Sequence, residues 1–351
     1  LPAGEKARYK ANVAAIKIVK NLIAENRYAT AEEQEALSKY VGWGGLSSVF
    51  DAKKEGWAKE YNELQALLTP EEYKAARAST LNAHYTSIDV IRAMYEGLKH
   101  LGFQGGRMLE PSGGIGHFIG AMPADMQSTV KSWTMVELDD ITGHIAKYLY
   151  PNSDVRIEGF EKAKIPNNYM DVAIGNVPFG NYAITDKAYP GTVTSAIHNY
   201  FFAKSLDKVR PGGLVTFITS RYTMDAYDDR VRKYLMDNAD LLGAIRLPDT
   251  AFKGNAGTEV VTDIIVLRKR AAFTPYKGEA FGSAKYTLIG KSGAYINEHF
   301  ADHPEMVLGT PEMTGSMYGK DGLTYKALKG DLNKQIISAF KNITGKMEYP
   351  K

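Results

Sequence analysis

The first residues whose types could do chemistry form a glycine-rich turn between a predicted strand and a predicted helix: Glu110-Pro111-Ser112-Gly113-Gly114-Ile115-Gly116-His117-Phe118. Glycine lets the backbone approach a ligand closely, and the helix behind the turn offers unpaired N–H groups. The spacing differs from the G-x-G-x-x-G of dinucleotide-binding folds, which argues against a pyrophosphate and a nicotinamide cofactor. Glu137 ends the next predicted strand, about 20 residues further on, where an acid binds ribose hydroxyls. The pattern predicts an adenosine-containing cofactor without a diphosphate, or else only a tight turn and an exposed strand end.

A second candidate, Asn176-Val177-Pro178-Phe179, follows a buried run that ends at Gly175. In a doubly wound sheet the carboxyl ends of the strands face the ligand crevice. A planar base can stack on Phe179, and the Asn176 side-chain oxygen or a backbone carbonyl can accept a hydrogen bond from an exocyclic amine. Two such acceptors favour a more tetrahedral nitrogen, which can attack a sulfonium methyl group in line without a metal or covalent intermediate. A strand-ending turn with Phe179 in the core fits the segment equally well.

Strands and helices that alternate along the chain must position these two segments. Strands are predicted at 107–110, 132–137, 154–158, 170–175, 213–219, 241–246 and 261–268. Helices are predicted at 116–122, 140–149, 196–209 and 225–238. This alternation predicts an α/β fold with a doubly wound, mostly parallel seven-stranded sheet, whose last two strands can form an antiparallel pair.

The regions on either side of this alternation have a different character. Capping patterns at Thr30 and Thr69, together with an apolar helical face over 5–26, predict a helical N-terminal extension at 1–80. Ser87 is predicted to cap the helix that follows. Residues 271–351 have weaker periodicity and are predicted to form a small C-terminal appendage that contacts DNA or links to a missing region.

Composition sets broad limits on the class of protein. The chain has 351 residues, of which 44% are hydrophobic and 24% charged, and its net charge is +3. It contains no cysteine, which excludes a thiolate zinc cluster and a cysteine nucleophile. The weak positive charge does not by itself indicate nucleic acid. No apolar run approaches the roughly 18 residues of a membrane span. Because the chain lacks an initiator Met and stops abruptly at Lys351, we expect it to belong to a longer protein.

The two candidate segments, in this order, resemble the motifs of adenine-specific amino DNA methyltransferases of type I and type II restriction–modification systems. His84-Tyr85-Thr86-Ser87 is similar to the family's Tyr/Phe-Thr-Pro cofactor segment, and residues 110–116 are similar to its glycine turn. Glu137 matches its ribose acid, and residues 176–179 match its catalytic Asn/Asp-Pro-Pro-Tyr/Phe segment. Residues 210–215 and 247–252 resemble later family blocks, so that the resemblance covers residues 80–270. The flanks at 40–45 and 303–309 resemble large phage and conjugative-element proteins in which a methyltransferase-like domain precedes a helicase.

The resemblance implies a Rossmann-like methyltransferase core at 81–270 that uses S-adenosyl-L-methionine. It implies methyl transfer to the N6 amino group of an adenine that is flipped out of DNA. Catalysis falls to Asn176, Val177, Pro178 and Phe179. Cofactor binding falls to residues of all the matched segments: Tyr85, Thr86, Glu110, Pro111, Ser112, Gly113, Gly114, Gly116, Phe118, Glu137, Leu138, Phe160 and Asn176.

The resemblance also implies a setting for the protein. No metal and no membrane are expected. We expect a phage- or mobile-element-encoded protein in the bacterial cytoplasm, with DNA and further domains such as a helicase as partners. Arg221, Tyr222 and Lys253 stand in loops after the fifth and sixth predicted strands, where a DNA strand would pass. They are candidates for phosphate contacts, although solvated side chains explain them equally well.

Two positions depart from the family pattern. Val177 replaces the first proline of the catalytic pair, which keeps the backbone carbonyl but makes the turn less rigid. Gly159 stands where an acid near the cofactor adenine is expected; Glu158 or Glu161 can substitute for it, and Phe160 can stack beside the adenine. Two alternatives therefore stay open: a catalytically degenerate module that binds cofactor or DNA, and a methyltransferase for glutamine side chains in a protein.

Overall fold

The structure is a computed structural model that describes residues 2–81, 86–180, 182–252, 261–315 and 322–351. Its strands are β1 (Gly106–Glu110), β2 (Val130–Glu137), β3 (Asp154–Ile157), β4 (Met170–Asn176), β5 (Val209–Ser220), β6 (Ala239–Arg246), β7 (Thr262–Lys269), β8 (Ala284–Ile289), β9 (Ser292–Asn297), β10 (Gly309–Met313) and β11 (Leu323–Ala327). Its helices are α1 (Glu5–Glu25), α2 (Ala31–Leu37), α3 (Ala58–Leu67), α4 (Pro70–Ala78), α5 (Ile88–His100), α6 (His117–Gly120), α7 (Ala124–Gln127), α8 (Asp140–Leu149), α9 (Gly191–Thr194), α10 (Ile197–Lys208), α11 (Tyr222–Asp225), α12 (Arg230–Asn238), α13 (Glu298–Asp302) and α14 (Leu332–Lys341). Across these described ranges, no helix combines the length and the apolar character needed to cross a membrane.

The central sheet positions the site. Within the described residues it has seven strands in the order β3-β2-β1-β4-β5-β7-β6. The strands from β3 to β5 are parallel neighbours, whereas β7 runs antiparallel between β5 and β6. Along the chain, strands are added from β1 to β3 on one side of the sheet and from β4 onward on the other side. The order of the strands therefore reverses between β1 and β4, and the crevice of the sheet lies between the carboxyl ends of these two strands. The predicted fold class is confirmed, and so is the antiparallel pairing of the last two strands.

The helices before the sheet begin where the sequence predicts. The side chains of Thr30 and Thr69 each accept a hydrogen bond from the backbone N–H of the glutamate three residues further on, which closes two capping boxes. The Ser87 hydroxyl accepts the corresponding bond at the start of α5. Each cap satisfies an N–H group that the first helical turn leaves unpaired.

The N-terminal helices pack onto the sheet layer rather than standing apart from it. Their buried apolar side chains form a cluster around Ile16, Leu37 and Leu64. The same cluster includes Ile115 from the glycine turn and Ile145 from α8. The helical layer therefore covers the side of the sheet on which the predicted cofactor segments lie.

Two predicted helices are shorter or broken in the structure. The helix predicted at 116–122 is the single turn α6, because Gly120 and then Pro123 end it and α7 begins after the proline. The helix predicted at 225–238 begins only at Arg230, as α12, and Asp225 instead ends the short helix α11. Asp225 turns inward to two buried arginines, and the next residue, Ala226, leaves the helical conformation with a ψ of 136°.

Residues 271–351 belong to the main body, contrary to the predicted appendage. Phe281, Phe300 and Phe340 are 0%, 5% and 0% exposed and lie in the same apolar core as the central sheet. Helix α14 packs on α5, with the Phe340 ring directly against Gly97. The hydrophobic periodicity is weak in this segment because most of its buried residues lie singly in loops and short strands.

Candidate cofactor and substrate site

A cavity of about 370 Å³ lies at the carboxyl ends of β1, β2 and β4. Its lining brings together most of the predicted cofactor residues, namely Thr86, Glu110, Ser112, Gly113, Gly114, Phe118 and Glu137. The predicted catalytic residues that reach it are Asn176, Val177 and Pro178. Segments far apart in the chain meet here because the carboxyl ends of parallel strands share one edge of a sheet.

The glycine turn and the predicted ribose acid are joined by hydrogen bonds. The Gly114 N–H donates to Oε1 of Glu137 at 2.9 Å, and the Asp139 N–H donates to Oε2 at 2.8 Å. Gly114 has a φ of 60°, which a residue with a side chain rarely adopts. Burial raises the pKa of Glu137 to about 7, although these backbone donors favour the ionised form. The carboxyl group is thus held in place and is poised between its two protonation states near neutral pH.

Glu110 is the most buried acid of the cavity, with 1% of its surface exposed. Burial, and then the negative charge of Glu137, raise its pKa well above the usual value of a carboxyl group. Its Oε2 atom has no hydrogen-bond partner among the described residues. Buried polar atoms are nearly always paired, so this oxygen marks a place where a ligand donor fits.

Asn176, at the end of β4, is oriented by a residue of the cofactor segment. Its Nδ2 group donates to Oγ1 of Thr86 at 2.7 Å. Its Oδ1 atom is buried and has no hydrogen-bond partner among the described residues. The side chain therefore presents its Oδ1 acceptor as an open group at the cavity, while Thr86 engages one Nδ2 hydrogen.

Val177 compensates for the proline that it replaces. Its backbone N–H donates to the carbonyl of Ile218 on β5 at 3.2 Å, which extends the pairing of β4 with β5 by one residue. A proline has no N–H and would lose this bond. Pairing with β5 therefore restricts the backbone at this turn, whereas a proline ring restricts it in the family pattern.

Helix α10 contacts the chain just after the predicted catalytic segment at 176–179. Phe179 is half-buried, and the N–H of the next residue, Gly180, donates to Nδ1 of His198 at 3.4 Å. Burial lowers the pKa of His198 to about 4, so the ring stays neutral and keeps an acceptor nitrogen. The sequence does not predict this role of His198, because a histidine beside an aromatic run does not indicate which backbone group it contacts.

A glycine-rich loop of the N-terminal layer, Tyr40-Val41-Gly42-Trp43-Gly44, forms one wall of the cavity. Asn12 of α1 clamps this loop: its Nδ2 donates to the Gly42 carbonyl at 2.6 Å, and its Oδ1 accepts from the Val41 N–H at 2.9 Å. Trp43 is 4% exposed and packs edge-on against Phe50, with ring centroids 5.6 Å apart. Trp43 thus both packs in the N-terminal cluster and lines the cavity. Asp139 and Thr142 at the start of α8 are further lining residues that sequence reasoning missed.

Several predicted cofactor residues lie elsewhere. Phe160 does not stack at the cavity as predicted: it is 2% exposed, and its ring packs on Phe201 with centroids 4.9 Å apart. Leu138, next to Glu137, is 74% exposed, while Pro111 and Gly116 belong to the turn but do not line the cavity. Tyr85 lies outside the described residues.

The predicted DNA contacts have a different role from the one expected. Arg221 is 3% exposed and pairs with Asp225 at 2.9 Å, with its guanidinium group 4.4 Å from the centre of the Tyr222 ring. An arginine buried in this way does not fit the predicted phosphate contact. Tyr222 is half-buried, and Lys253 lies outside the described residues.

Comparisons with known proteins give one relative in sequence and many neighbours in structure. The chain is 30% identical over 274 residues to Defense against restriction protein B of Escherichia phage P1, which is 76% of this chain but 10% of the phage protein. The chain thus spans about a tenth of the length of this relative. No family model matches the sequence.

Two solved structures illustrate the neighbours. A protein of Listeria monocytogenes, provisionally classed as a class I S-adenosylmethionine-dependent methyltransferase, aligns with a TM-score of 0.49 and 16% identity, over 78% of this chain and 92% of that one. The M protein of the type I restriction enzyme EcoKI aligns with a TM-score of 0.44 and 14% identity, over 93% and 85%. The order of the strands is that of the predicted Rossmann-like methyltransferase fold.

Proposed function

We propose that this chain binds S-adenosylmethionine in the cavity and transfers its methyl group to the N6 amino group of adenine in DNA. The orientation of Asn176 carries the proposal. The bond from Nδ2 to Thr86 fixes the amide plane, and the buried Oδ1 atom is open to accept a hydrogen bond from an amine at the cavity. A free acceptor at the end of β4 is what an amino-group substrate requires.

The walls of the cavity suit the proposed cofactor. When bound, S-adenosylmethionine supplies an electrophilic methyl group on a sulfonium ion. Glu137 can accept hydrogen bonds from ribose hydroxyls, as an acid at the tip of the second strand does in related nucleotide-binding folds. The unpaired Oε2 of Glu110 offers an acceptor to an ammonium group, whose positive charge would also favour the ionised carboxylate.

The chain's own residues prepare the amine for attack. An adenine amino group is a weak nucleophile because its lone pair is delocalised into the ring. Asn176 Oδ1 and a backbone carbonyl of the following turn can accept its two hydrogens, which favours the tetrahedral form of the nitrogen. Phe179 offers a ring on which the flipped base can stack. The remaining contribution is orientation, since the sheet holds both segments at one edge.

Glu161 is the better candidate for the acid that the family pattern places at Gly159. A Cβ built on Gly159 would meet both carboxylate oxygens of Glu161, so this carboxylate occupies the space that a side chain at 159 would take. We therefore propose that Glu161 fills the role of the missing acid near the cofactor adenine.

The experiment that tests the proposed function is the transfer of labelled methyl groups from S-adenosylmethionine to DNA by the wild type and by Asn176→Ala. We expect the variant to lose kcat by on the order of 100-fold, as when one group aimed at the reacting centre is removed. Asn342→Ala, on an exposed position beyond α14, is the matched control and should leave the rate unchanged. Equal rates for Asn176→Ala and the wild type would refute the assignment, and tight cofactor binding without any transfer would favour a degenerate module.

The name of the phage relative suggests where the reaction would matter. Methylated adenines would protect DNA from a restriction enzyme, which is in keeping with a defence against restriction. We expect the activity in the bacterial cytoplasm. A helicase as neighbouring domain stays a prediction.

A further inference from the structure

The β8–β9 hairpin carries an exposed aromatic face that the methyl-transfer site does not use. Tyr286 pairs with Tyr295 across the hairpin, and Leu288 lies on the same face because alternate residues of a strand point to the same side. These three side chains are 56%, 38% and 77% exposed. Tyr227, in the segment after α11, is 75% exposed and adjoins them. A contiguous apolar patch of this kind marks an interaction surface, unlike single exposed apolar residues.

The rings of this face form a continuous platform. The ring centroids of Tyr227 and Tyr295 are 5.1 Å apart, and those of Tyr286 and Tyr295 are 5.5 Å apart. Gly293 lies beneath the Tyr286 ring, where an added Cβ would be 3.0 Å from a ring carbon. The absence of a side chain at 293 lets the ring lie against the strand, so the platform is held in place before any ligand binds.

A buried polar network fixes the hairpin to the edge of the sheet that carries the site. Arg221, at the end of β5, donates to the Tyr295 carbonyl at 3.4 Å and to the Asp225 carboxylate at 2.9 Å. Asp225 in turn accepts a hydrogen bond from the Asn297 N–H at 2.8 Å. Strand β5 is the neighbour of β4, which ends in Asn176, so the hairpin is anchored one strand away from the catalytic segment. The arginine predicted to bind phosphate thus anchors a different surface.

The charge of the hairpin indicates what covers the platform. Lys291, in the turn between β8 and β9, is exposed, and residues 284–297 contain no Asp or Glu. Lys285 is also exposed but lies on the opposite face of β8 from Tyr286. The two aspartates that follow Tyr227 are paired with Arg230 and Lys233. Aromatic rings that stack on bases, together with lysines that neutralise phosphates, are the features by which proteins hold a nucleic-acid strand. A hairpin that presents tyrosines beside a lysine and carries no carboxylate of its own is complementary to such a strand.

We propose that the β8–β9 hairpin binds the DNA strand beside the target base, with bases stacked on Tyr286 and Tyr295 and phosphates near Lys291. The proposal rests on the proposed function in one respect, the choice of DNA as the substrate. It assigns to the hairpin a part of the DNA contacts that the sequence predicts for the loops after β5 and β6.

Binding of a short fluorescently labelled single-stranded oligonucleotide, followed by anisotropy at fixed salt, tests the inference. We expect the double variant Tyr286→Ala/Tyr295→Ala to bind at least about tenfold more weakly, given the contribution of stacked bases. Tyr28→Ala, at an 80% exposed tyrosine after α1, is the matched control and should bind like the wild type. A second variant, Lys291→Gln, leaves the rings in place and should reduce the salt dependence of binding. Unchanged affinity in both variants would overturn the proposal and would leave a protein partner as the occupant of the platform.

The methyl-transfer assay separates failure of this inference from failure of the proposed function. If both hold, Tyr286→Ala/Tyr295→Ala raises KM for DNA and leaves kcat and the affinity for S-adenosylmethionine unchanged. Oligonucleotide binding that depends on the tyrosines, without any methyl transfer by the wild type, supports the hairpin and contradicts the proposed reaction. Methyl transfer with an unchanged KM in the double variant contradicts the hairpin and supports the reaction.

Discussion

At the scale of single residues, the cavity places two carboxyl groups and one amide where solvent is largely excluded. Burial raises the pKa of both acids, the charge of Glu137 raises that of Glu110 further, and backbone donors offset part of the shift of Glu137. Asn176 has one Nδ2 hydrogen engaged by Thr86 and its Oδ1 acceptor open. The open oxygens of Glu110 and Asn176 are under-satisfied in the way that a binding site requires and a structural core avoids.

The state of Glu137 predicts a pH dependence of cofactor binding. Ribose hydroxyls donate to the ionised carboxylate, whereas the protonated form, whose pKa is about 7, must first lose its proton. We therefore expect the affinity for S-adenosylmethionine to rise with pH up to about 7 and then to level off, with proton release on binding below that pH. Isothermal titration in buffers of different ionisation enthalpy measures both effects. Glu137→Gln should bind more weakly with a flatter profile, and a wild-type affinity that is independent of pH would contradict the assignment.

The position of Glu161 makes a second prediction about a single side chain. Glu161→Gln should weaken binding of S-adenosylmethionine by about tenfold, the value of one hydrogen bond to a charged group. Glu158→Gln, at the residue directly before Gly159, is the matched control and should have little effect. If Glu158→Gln weakened the binding of S-adenosylmethionine more than Glu161→Gln did in a titration, Glu158 would be the acid near the cofactor.

At the scale of elements, the N-terminal layer is part of the site. The clamp of Asn12 on the loop at 40–44 links α1 to the cavity, and the loop supplies a wall that the sheet does not. A contact between residues about 30 positions apart depends on how the helices pack, which local sequence patterns do not encode. The glycine run in the loop was a signal of special backbone geometry, but it did not reveal what the loop faces.

Tryptophan fluorescence tests this role of the loop. The chain has three tryptophans, and Trp43 lines the cavity whereas Trp57 and Trp133 do not. We expect S-adenosylmethionine to change the emission of the wild type, because a ligand in the cavity alters the surroundings of the Trp43 indole. The change should persist in Trp57→Phe and be largely lost in Trp43→Phe. An unaltered response in Trp43→Phe would place the cofactor away from the loop.

At the scale of the whole molecule, the C-terminal region and the sheet form one body. Arg246 of β6 is fully buried and pairs with Asp263 of β7 at 2.8 Å and with Asp225 at 2.7 Å. Its guanidinium group also lies over the rings of Phe300 and Tyr325, both from the segment predicted to be an appendage. The network joins the sheet, α11 and the C-terminal region at one point.

Loss of this arginine should destabilise the whole fold. Arg246→Met removes the ion-pair partner of the buried Asp263 and one of the two arginines that pair with Asp225, which we expect to lower the free energy of unfolding by about 3–5 kcal/mol. Arg230→Met removes a pair with Asp228 whose side chains are 70% and 53% exposed, and its stability should be unchanged within error. Urea unfolding followed by circular dichroism measures both. A small effect for Arg246→Met would mean that the network contributes little to joining the two regions.

The motifs predict which residues share the cavity as far as the parallel sheet determines it. The turn at 110–118, Glu137 and residues 176–178 meet because each ends or follows a parallel strand, and strand periodicity is visible in the sequence. Phe160, Arg221 and the 271–351 segment were misplaced because their burial depends on partners from distant parts of the chain, such as Phe201 and Asp225. A charged or aromatic residue in a loop looks the same in sequence whether it faces solvent or the interior.

The chemical identity of the product tests the central claim most directly. Plasmid DNA would be incubated with the protein and methyl-labelled S-adenosylmethionine, digested to nucleosides and analysed by mass spectrometry. The account predicts labelled N6-methyladenine with the wild type and none above background with Asn176→Ala. Unlabelled DNA in the presence of a saturated cofactor site, or label found only on glutamine side chains of a protein, would contradict it.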